Sequence, residues 1–313
     1  MTGTVLRGFL DAHVHLALID STALAAGGIA RVLDLGGWIP DEADGSFPET
    51  AYANQFLTAP GGYPSRQPWA PAGSVCEVAT ATDAQAAVDR QLAAGASVIK
   101  VALNSEAGPV LATDVLSAIV ARAHERETSV VVHAQGVGQA VRAFVAGVDA
   151  LAHTPFSERL VDELVEAMAG RMTWISTLDI HGWGEHNDNF ARASDNLRRF
   201  HARGGQVLYG TDLGNGPLRV GLNRREIDAL LGVGMGPDEV IGALTAEDLG
   251  GFRNALRAKG AKGATRAAGA TRAAKSESRA TYLPGDRPTD PAGFAEWLCT
   301  ARALSSAELK ESE

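Results

Sequence analysis

The sequence predicts an α/β fold, a (β/α)8 TIM-like barrel, on three observations. Short β-branched or apolar runs alternate with Ala-rich amphipathic stretches along most of the 313 residues. Eight such runs lie between His13 and Asp212, so the repeat is roughly 28 residues, a normal βα period. A polar residue also ends run after run. A barrel mouth gives a reason for that, and an open doubly wound sheet does not.

Taken in order, the strands read VLRGFLDAHVHL, ARVLDLGG, QFLTAPGG, SVIKVALN, SVVVHAQG, ALAHTPF, MTWISTLD and QVLYGTDLG. Strands alternating with helices imply parallel βαβ units. After the third strand, Ala84, Ala87, Val88, Gln91 and Leu92 follow helical spacing. They predict a helix over 83–94, capped by Thr82 or Asp83 and ended by Gly95. Further helices are predicted over 114–127, 138–146, 158–169, 189–203, 224–231 and 238–244. The interval from Gly37 to Asn54 holds Pro40, Asp41, Asp44, Gly45 and Pro48, and predicts loop with at most one helical turn.

Composition narrows the class. Hydrophobic residues make up 45%, enough for a large core, and the formal charge of −9 speaks against a surface for nucleic acid or anionic membrane. No apolar run approaches the ~20 residues that span a bilayer. The N-terminus has a single Arg7, and Asp11, His13 and His15 interrupt its apolar stretch, so it does not read as a signal peptide. Cys76 and Cys299 lie far apart and predict neither a disulfide framework nor a cysteine zinc site. A cytoplasmic protein is the expectation.

Three regions are predicted: a barrel over 1–252, a basic low-complexity linker over 253–280, and a C-terminal remnant over 281–313 that docks on the barrel. The linker contains GATRAA at 263–268 and again at 269–274. Residues 253–279 hold eight basic side chains against Glu277, which is +7 and leaves −16 for the rest. A solvated linker is the plain reading, and a basic tether for an anionic partner is the alternative. Tyr282, Leu283, Phe294, Trp297 and Leu298 are the docking candidates.

The polar strand ends carry the chemistry. His13 and His15 are two apart on a strand, so both imidazoles point to one face, with Asp11 expected one layer deeper. Lys100, His133, His153 and Asp212 end the fourth, fifth, sixth and eighth strands. Four imidazoles, an amine and a carboxylate converging on one mouth are hard to satisfy without a metal. Imidazole and carboxylate are ligands that zinc, manganese or iron accept. A Schiff-base role for Lys100 would leave the histidines without a function.

As a set, VLRGFLDAHVHL, GASVIKVAL, VVVHAQG, GVDALAHTPF and VLYGTDLG resemble the amidohydrolase superfamily, in its imidazolonepropionase-like and prolidase-like branch. The resemblance covers about residues 5–250 and includes the NRREIDALL that follows the eighth strand. It implies a pair of divalent ions, most simply zinc. His13 and His15 would hold the more buried ion, a carboxylated Lys100 would bridge both, and His133 and His153 would hold the second. Asp212 would ligate the first ion and handle the proton. The implied reaction is hydrolysis of an amide in a small substrate, a dipeptide or N-acyl amino acid, through a metal-bridging hydroxide. A lactonase or a deaminase of the same superfamily is the alternative. Deaminases commonly carry a Glu shortly after the fifth-strand His, and here Ala134, Gln135 and Gly136 follow His133. A non-catalytic barrel scaffold using its basic tether is the reading from another class.

Loops should set specificity. Tyr63 and Arg66 after the third strand, Asn104 after the fourth, His181 and Trp183 after the seventh, and Arg219 after the eighth are the substrate-binding candidates. Arg66 or Arg219 would grip a substrate carboxylate. The resemblance also implies a β-sandwich beside the barrel. Only 12 residues precede His13 and TYLPGDRPTDPAGF looks like a decayed closing strand, so a truncated sandwich is expected. The partner expected is a small molecule, without nucleic acid or membrane, and a homo-oligomer is compatible with the sequence.

Overall fold

Residues 3–37, 48–246, 280–305 and 308 are described by a computed structural model. The strands in chain order are β1 (Gly3–Arg7), β2 (Phe9–Val14), β3 (Ile29–Asp34), β4 (Glu49–Tyr52), β5 (Phe56–Thr58), β6 (Val75–Glu77) and β7 (Val98–Asn104). They continue with β8 (Ser129–Gln135), β9 (Ala150–Leu151), β10 (Thr173–Ile175), β11 (Gln206–Leu208), β12 (Ala280–Pro284) and β13 (Arg302–Leu304). One parallel sheet has the order β2-β3-β4 and another the order β11-β10-β9-β8-β7-β5-β6.

Backbone hydrogen bonds join the two sheets along both margins. Ala12 N–H donates to the Tyr209 carbonyl at 2.9 Å and His15 N–H to the Leu213 carbonyl at 2.8 Å, linking β2 to the chain that leaves β11. On the other side Ser97 N–H donates to the Tyr52 carbonyl at 2.7 Å, linking β4 to the start of β7. β4 is a correction to the loop expected between Gly37 and Asn54. Its four residues pair with Arg31–Asp34 of β3, and a neighbouring strand outweighs the weak local pattern around Pro48. Residues 38–47 of that interval lie outside the described residues.

The helices are α1 (Ala81–Ala93), α2 (Thr113–Glu125), α3 (Gln139–Val145), α4 (Asp162–Ala169), α5 (Asp188–Ala202), α6 (Arg224–Gly232), α7 (Pro237–Leu244) and α8 (Pro291–Leu298). α1 starts two residues earlier than expected, because Thr80 and Asp83 form a reciprocal capping box that satisfies two orphan donors. α4 starts four residues later. Ser157 and Glu158 are occupied in accepting the Gly136 and Gly138 N–H groups ahead of α3, so the chain through them does not wind.

Leu10, Ala12, Leu33, Ala51, Val98, Val131, Ala150, Ile175 and Leu208, from strands of both parallel sheets, form a cluster of small and branched side chains. The larger core lies between the sheets and their helices. β1, β12 and β13 make a separate antiparallel sheet in which Gly3–Arg7 pairs with Ala280–Pro284. Leu283, Phe294, Trp297 and Leu298 are buried in the larger core, while Tyr282 is half-buried beneath the Arg302 guanidinium. The GATRAA repeat, and with it residues 253–279 of the expected linker, lies outside the described residues, while Ala280 begins β12. No helix among those described is long and apolar enough to cross a membrane.

Candidate metal centre and substrate cavity

A cavity of about 330 Å³ opens at the carboxyl ends of the strands, and His13, His15, Lys100, His133, His153 and Asp212 all line it. Local backbone features bring them there. The β2–β3 ladder is irregular between Asp11 and Val14, which breaks the strict alternation of a strand. Leu10 and Ala12 therefore join the smaller cluster, and Asp11 does not sit one layer below the histidines as expected. Instead it accepts hydrogen bonds from the Thr211 hydroxyl (2.5 Å), the Thr211 N–H (3.1 Å) and the His13 N–H (3.1 Å). That carboxylate ties the His13 backbone to the residue before Asp212. Gly210 has to be glycine, since a Cβ there would run into Ile175 and crowd His13. Asp212 itself has φ +58°, and Thr177 beside His153 has φ +43°, both in the left-handed region.

The tightest group is His13, His15 and Asp212. Asp212 Oδ1 lies 3.1 Å from Nε2 of His13 and 3.1 Å from Nε2 of His15. Each imidazole is oriented from behind: His13 Nδ1 meets the Ala152 carbonyl and His15 Nδ1 the Gly36 carbonyl, both at 2.8 Å. A carbonyl only accepts, so each Nδ1 carries the proton. His13 Nε2 is buried and has no hydrogen-bond partner among the described residues. Asn215 Nδ2 donates to Asp212 Oδ2 at 2.8 Å and fixes the carboxylate.

The second group is His133 and His153, with ring centroids 4.8 Å apart. His153 stands 4.7 Å from His13, which connects the two groups. Nδ1 of His153 pairs with the Thr177 hydroxyl at 2.9 Å, leaving Nε2 for the cavity. His133 has the opposite arrangement, with Nε2 on Gln135 Oε1 at 3.2 Å and Nδ1 left over. Gln135 is held in turn by Asn104 Nδ2 at 3.0 Å and donates to Glu106 Oε2 at 2.8 Å.

Burial pushes the Lys100 amine down to about 7, against the pull of Asp212 and Asp34. Burial, reinforced by Lys100, pushes His133 down to about 4 and holds His13 well below the usual imidazole range. His153 is held well below it by burial and by His13. Burial alone would raise Asp212, but the surrounding imidazoles of His13, His15 and His153 hold it well below the carboxylate range. Against its burial, the hydrogen bond to Asp212 and the charges of Asp212 and Asp34 raise His15 above the usual imidazole range. The result is an anionic carboxylate beside His15 and facing the neutral imidazoles of His13, His133 and His153.

That donor set fits a divalent cation. Ligands at ~2.1 Å around a tetrahedral ion stand roughly 3.4 Å apart, close to the 3.1 Å separations about Asp212 Oδ1. The ligating atoms of His13, His15 and Asp212 all lie within 4.8 Å of one another. Nδ1 held by a backbone carbonyl and Nε2 left open is the usual arrangement of a metal-binding histidine.

Two walls flank the site. Phe56, Tyr63 and Trp69 form one, with Tyr63 stacked on His133 at 5.1 Å between centroids. Phe156, Ile180 and His181 form the other, with Phe156 and His181 at 4.2 Å. Of the substrate-binding candidates, Tyr63 and His181 line the cavity. Asn104 is buried beneath Gln135 and accepts the Glu106 and Ala107 N–H groups. Arg66 and Arg219 are exposed and outside the lining, and Trp183 is 41% exposed over Gly216. Their loops turn these side chains to solvent, where a long charged group keeps its hydration. Sequence reasoning missed Phe56, Trp69, Gln135 and Phe156. Gln135 had a signal, since it is two residues after His133 on one strand and shares its face.

No family model and no curated protein matches the chain. Solved structures do. A Xaa-Pro dipeptidase with methionine in its active site superimposes with a TM-score of 0.71 at 18% identity, covering 98% of this chain and 86% of that one. A putative prolidase from Bifidobacterium longum gives 0.70 at 20% identity, covering 97% and 80%. Phenylurea hydrolase B gives 0.66 at 14% identity, covering 93% and 82%. At these identities the likeness establishes the shared fold.

Proposed function

We propose that the chain is a metal-dependent hydrolase of the amidohydrolase superfamily, in its prolidase-like branch, built on a closed (β/α)8 barrel and cleaving an amide bond in a small substrate. One observation carries the reading: a single carboxylate oxygen of Asp212 meets two oriented, buried imidazole nitrogens, and one of them is otherwise unpartnered. His13, His15 and Asp212 would hold one divalent ion, zinc by donor type. His133 and His153 would hold a second. When bound, the ions would supply Lewis acidity toward the scissile carbonyl and a lowered pKa for water.

Lys100 completes the set as a carbamate. Its amine, pushed down to about 7 by burial, is substantially neutral near pH 7. The Nζ lone pair adds to carbon dioxide and a proton leaves to solvent, turning a group that repels cations into an anionic ligand. Asp212 accepts a proton from the attacking water and returns it to the leaving nitrogen. Burial and Asp212 raise the Tyr63 phenol well above its usual range, so it stays protonated as a donor toward the carbonyl oxygen. His181 is neutral, pushed down to about 4 by burial, and its Nε2 has no hydrogen-bond partner among the described residues, which suits contact with substrate.

The deaminase alternative needs an acid at the reacting atoms. Asp212 is the one carboxylate among the described lining residues, and Glu106 reaches only as far as Gln135. A lactone or ester would meet the same machinery as an amide. The test is turnover of an amide panel by metal-loaded protein, its loss on chelation and its return on adding metal. Silence of the loaded protein across amides, lactones and esters would return the scaffold reading.

A further inference from the structure

We infer, resting on the hydrolase reading of this site, that the substrate is an uncharged amide with an aromatic group beside the scissile bond and no carboxylate near it. The aromatic wall borders the metal-facing imidazoles directly. Trp69 lies 6.0 Å from Tyr63 and 6.2 Å from Phe56, while Phe56 and Trp69 stand 5.6 and 6.3 Å from His15. A ring seated in that corner would contact three aromatic faces within one side chain of Asp212 and His133. Phe156 and Ile180 close the other side, so the groups away from the floor are mostly apolar.

The charge of the lining points the same way. Among the described residues no arginine lines the cavity, and its one lysine, Lys100, belongs to the proposed ligand set. Arg66, the nearest guanidinium on the aromatic loop, is exposed and sits by Glu77. Glu106, at the edge of the site on Gln135, is acidic. Away from the proposed ions, a substrate carboxylate would thus lose its hydration without a cationic side chain to replace it. The inferred substrate differs from the dipeptide or N-acyl amino acid that the family resemblance implied.

The test is a matched pair, N-benzoylglycinamide and N-benzoylglycine, which share the benzoyl amide bond and differ by one charge. Binding to metal-loaded wild-type protein is read by tryptophan quenching, and turnover by release of glycinamide or glycine. The neutral compound should bind and turn over at least about tenfold better. Leu18→Arg, which places a cation on the lining, should narrow or reverse that preference. Equal or tighter binding of N-benzoylglycine overturns the inference, and so does failure of both compounds to bind. Preferential binding of the neutral compound without turnover of any amide upholds the description of the cavity and overturns the hydrolase reading, so the two fail separately.

Discussion

His13 and His15 donate Nδ1–H hydrogen bonds to backbone carbonyls, those of Ala152 and Gly36, whereas His133 and His153 are oriented by the side chains of Gln135 and Thr177. A carbonyl anchored at a strand end cannot rotate away, but an amide or hydroxyl side chain can. The first half of the site is therefore fixed by the fold itself, and the second half by residues that substitution can remove. If each half holds an ion as proposed, the first half should hold it more tightly and survive changes that empty the second.

The comparison can be broken or sharpened by substitution. In the proposed mechanism Asp212 would serve both chemistry and the first half, so Asp212→Asn should produce the largest loss, about 10³-fold in kcat or more. A variant retaining a tenth of wild-type kcat would remove Asp212 from the proton transfer. Next come the side-chain orienters. Gln135→Leu and Thr177→Val should each weaken one ion by about 10- to 100-fold and leave the other unchanged. Titration against a chelator of known affinity would show two separated phases where wild type shows closer ones, and parallel weakening of both ions would deny the asymmetry.

Smaller effects come from titration. The Lys100 amine is neutral above about 7 and charged below it, so its capacity to take up carbon dioxide rises with pH through that value. Intact mass of protein equilibrated with bicarbonate at about pH 6 and about pH 9 should show a severalfold larger carbamate fraction at the higher pH. A fraction independent of pH would contradict the lowered amine. The smallest effect belongs to Glu226 of α6, whose Oε2 accepts the Asp179 N–H at 2.8 Å and so supports the turn carrying Ile180 and His181. Burial raises this carboxyl to about 7 from an ordinary 4.5. Between those values the folded state binds more protons than the unfolded state, so this contribution to stability is lost as pH rises through about 7. Glu226→Gln should flatten that decline, shifting the wild-type-to-variant difference in Tm by a few degrees. Identical pH profiles would refute it.

The unequal legibility of the sequence has a physical basis. His13, His15, Lys100, His133, His153 and Asp212 were readable because each is a polar residue ending an apolar strand, where the βα repeat leaves few places for it to go. The Asp11 placement was not, because it depended on a ladder irregularity that no local pattern marks. β4 was obscured by prolines and acids whose preference yields once β3 lies alongside. The walls were the least readable. Trp69 and Phe156 come from loops, and whether a loop side chain faces cavity or water depends on packing between segments distant in sequence. Arg66 and Arg219 have the right chemistry for a carboxylate clamp and face solvent instead.

The central claim, a hydrolytic metal centre assembled on these strand ends, is tested most directly by metal analysis of the purified protein paired with its intact mass. Two divalent ions per chain and an increment of about 44 Da, one carbon dioxide, localised to Lys100 are the predicted result. Protein that binds no divalent ion even after reconstitution, with Lys100 unmodified, would contradict it.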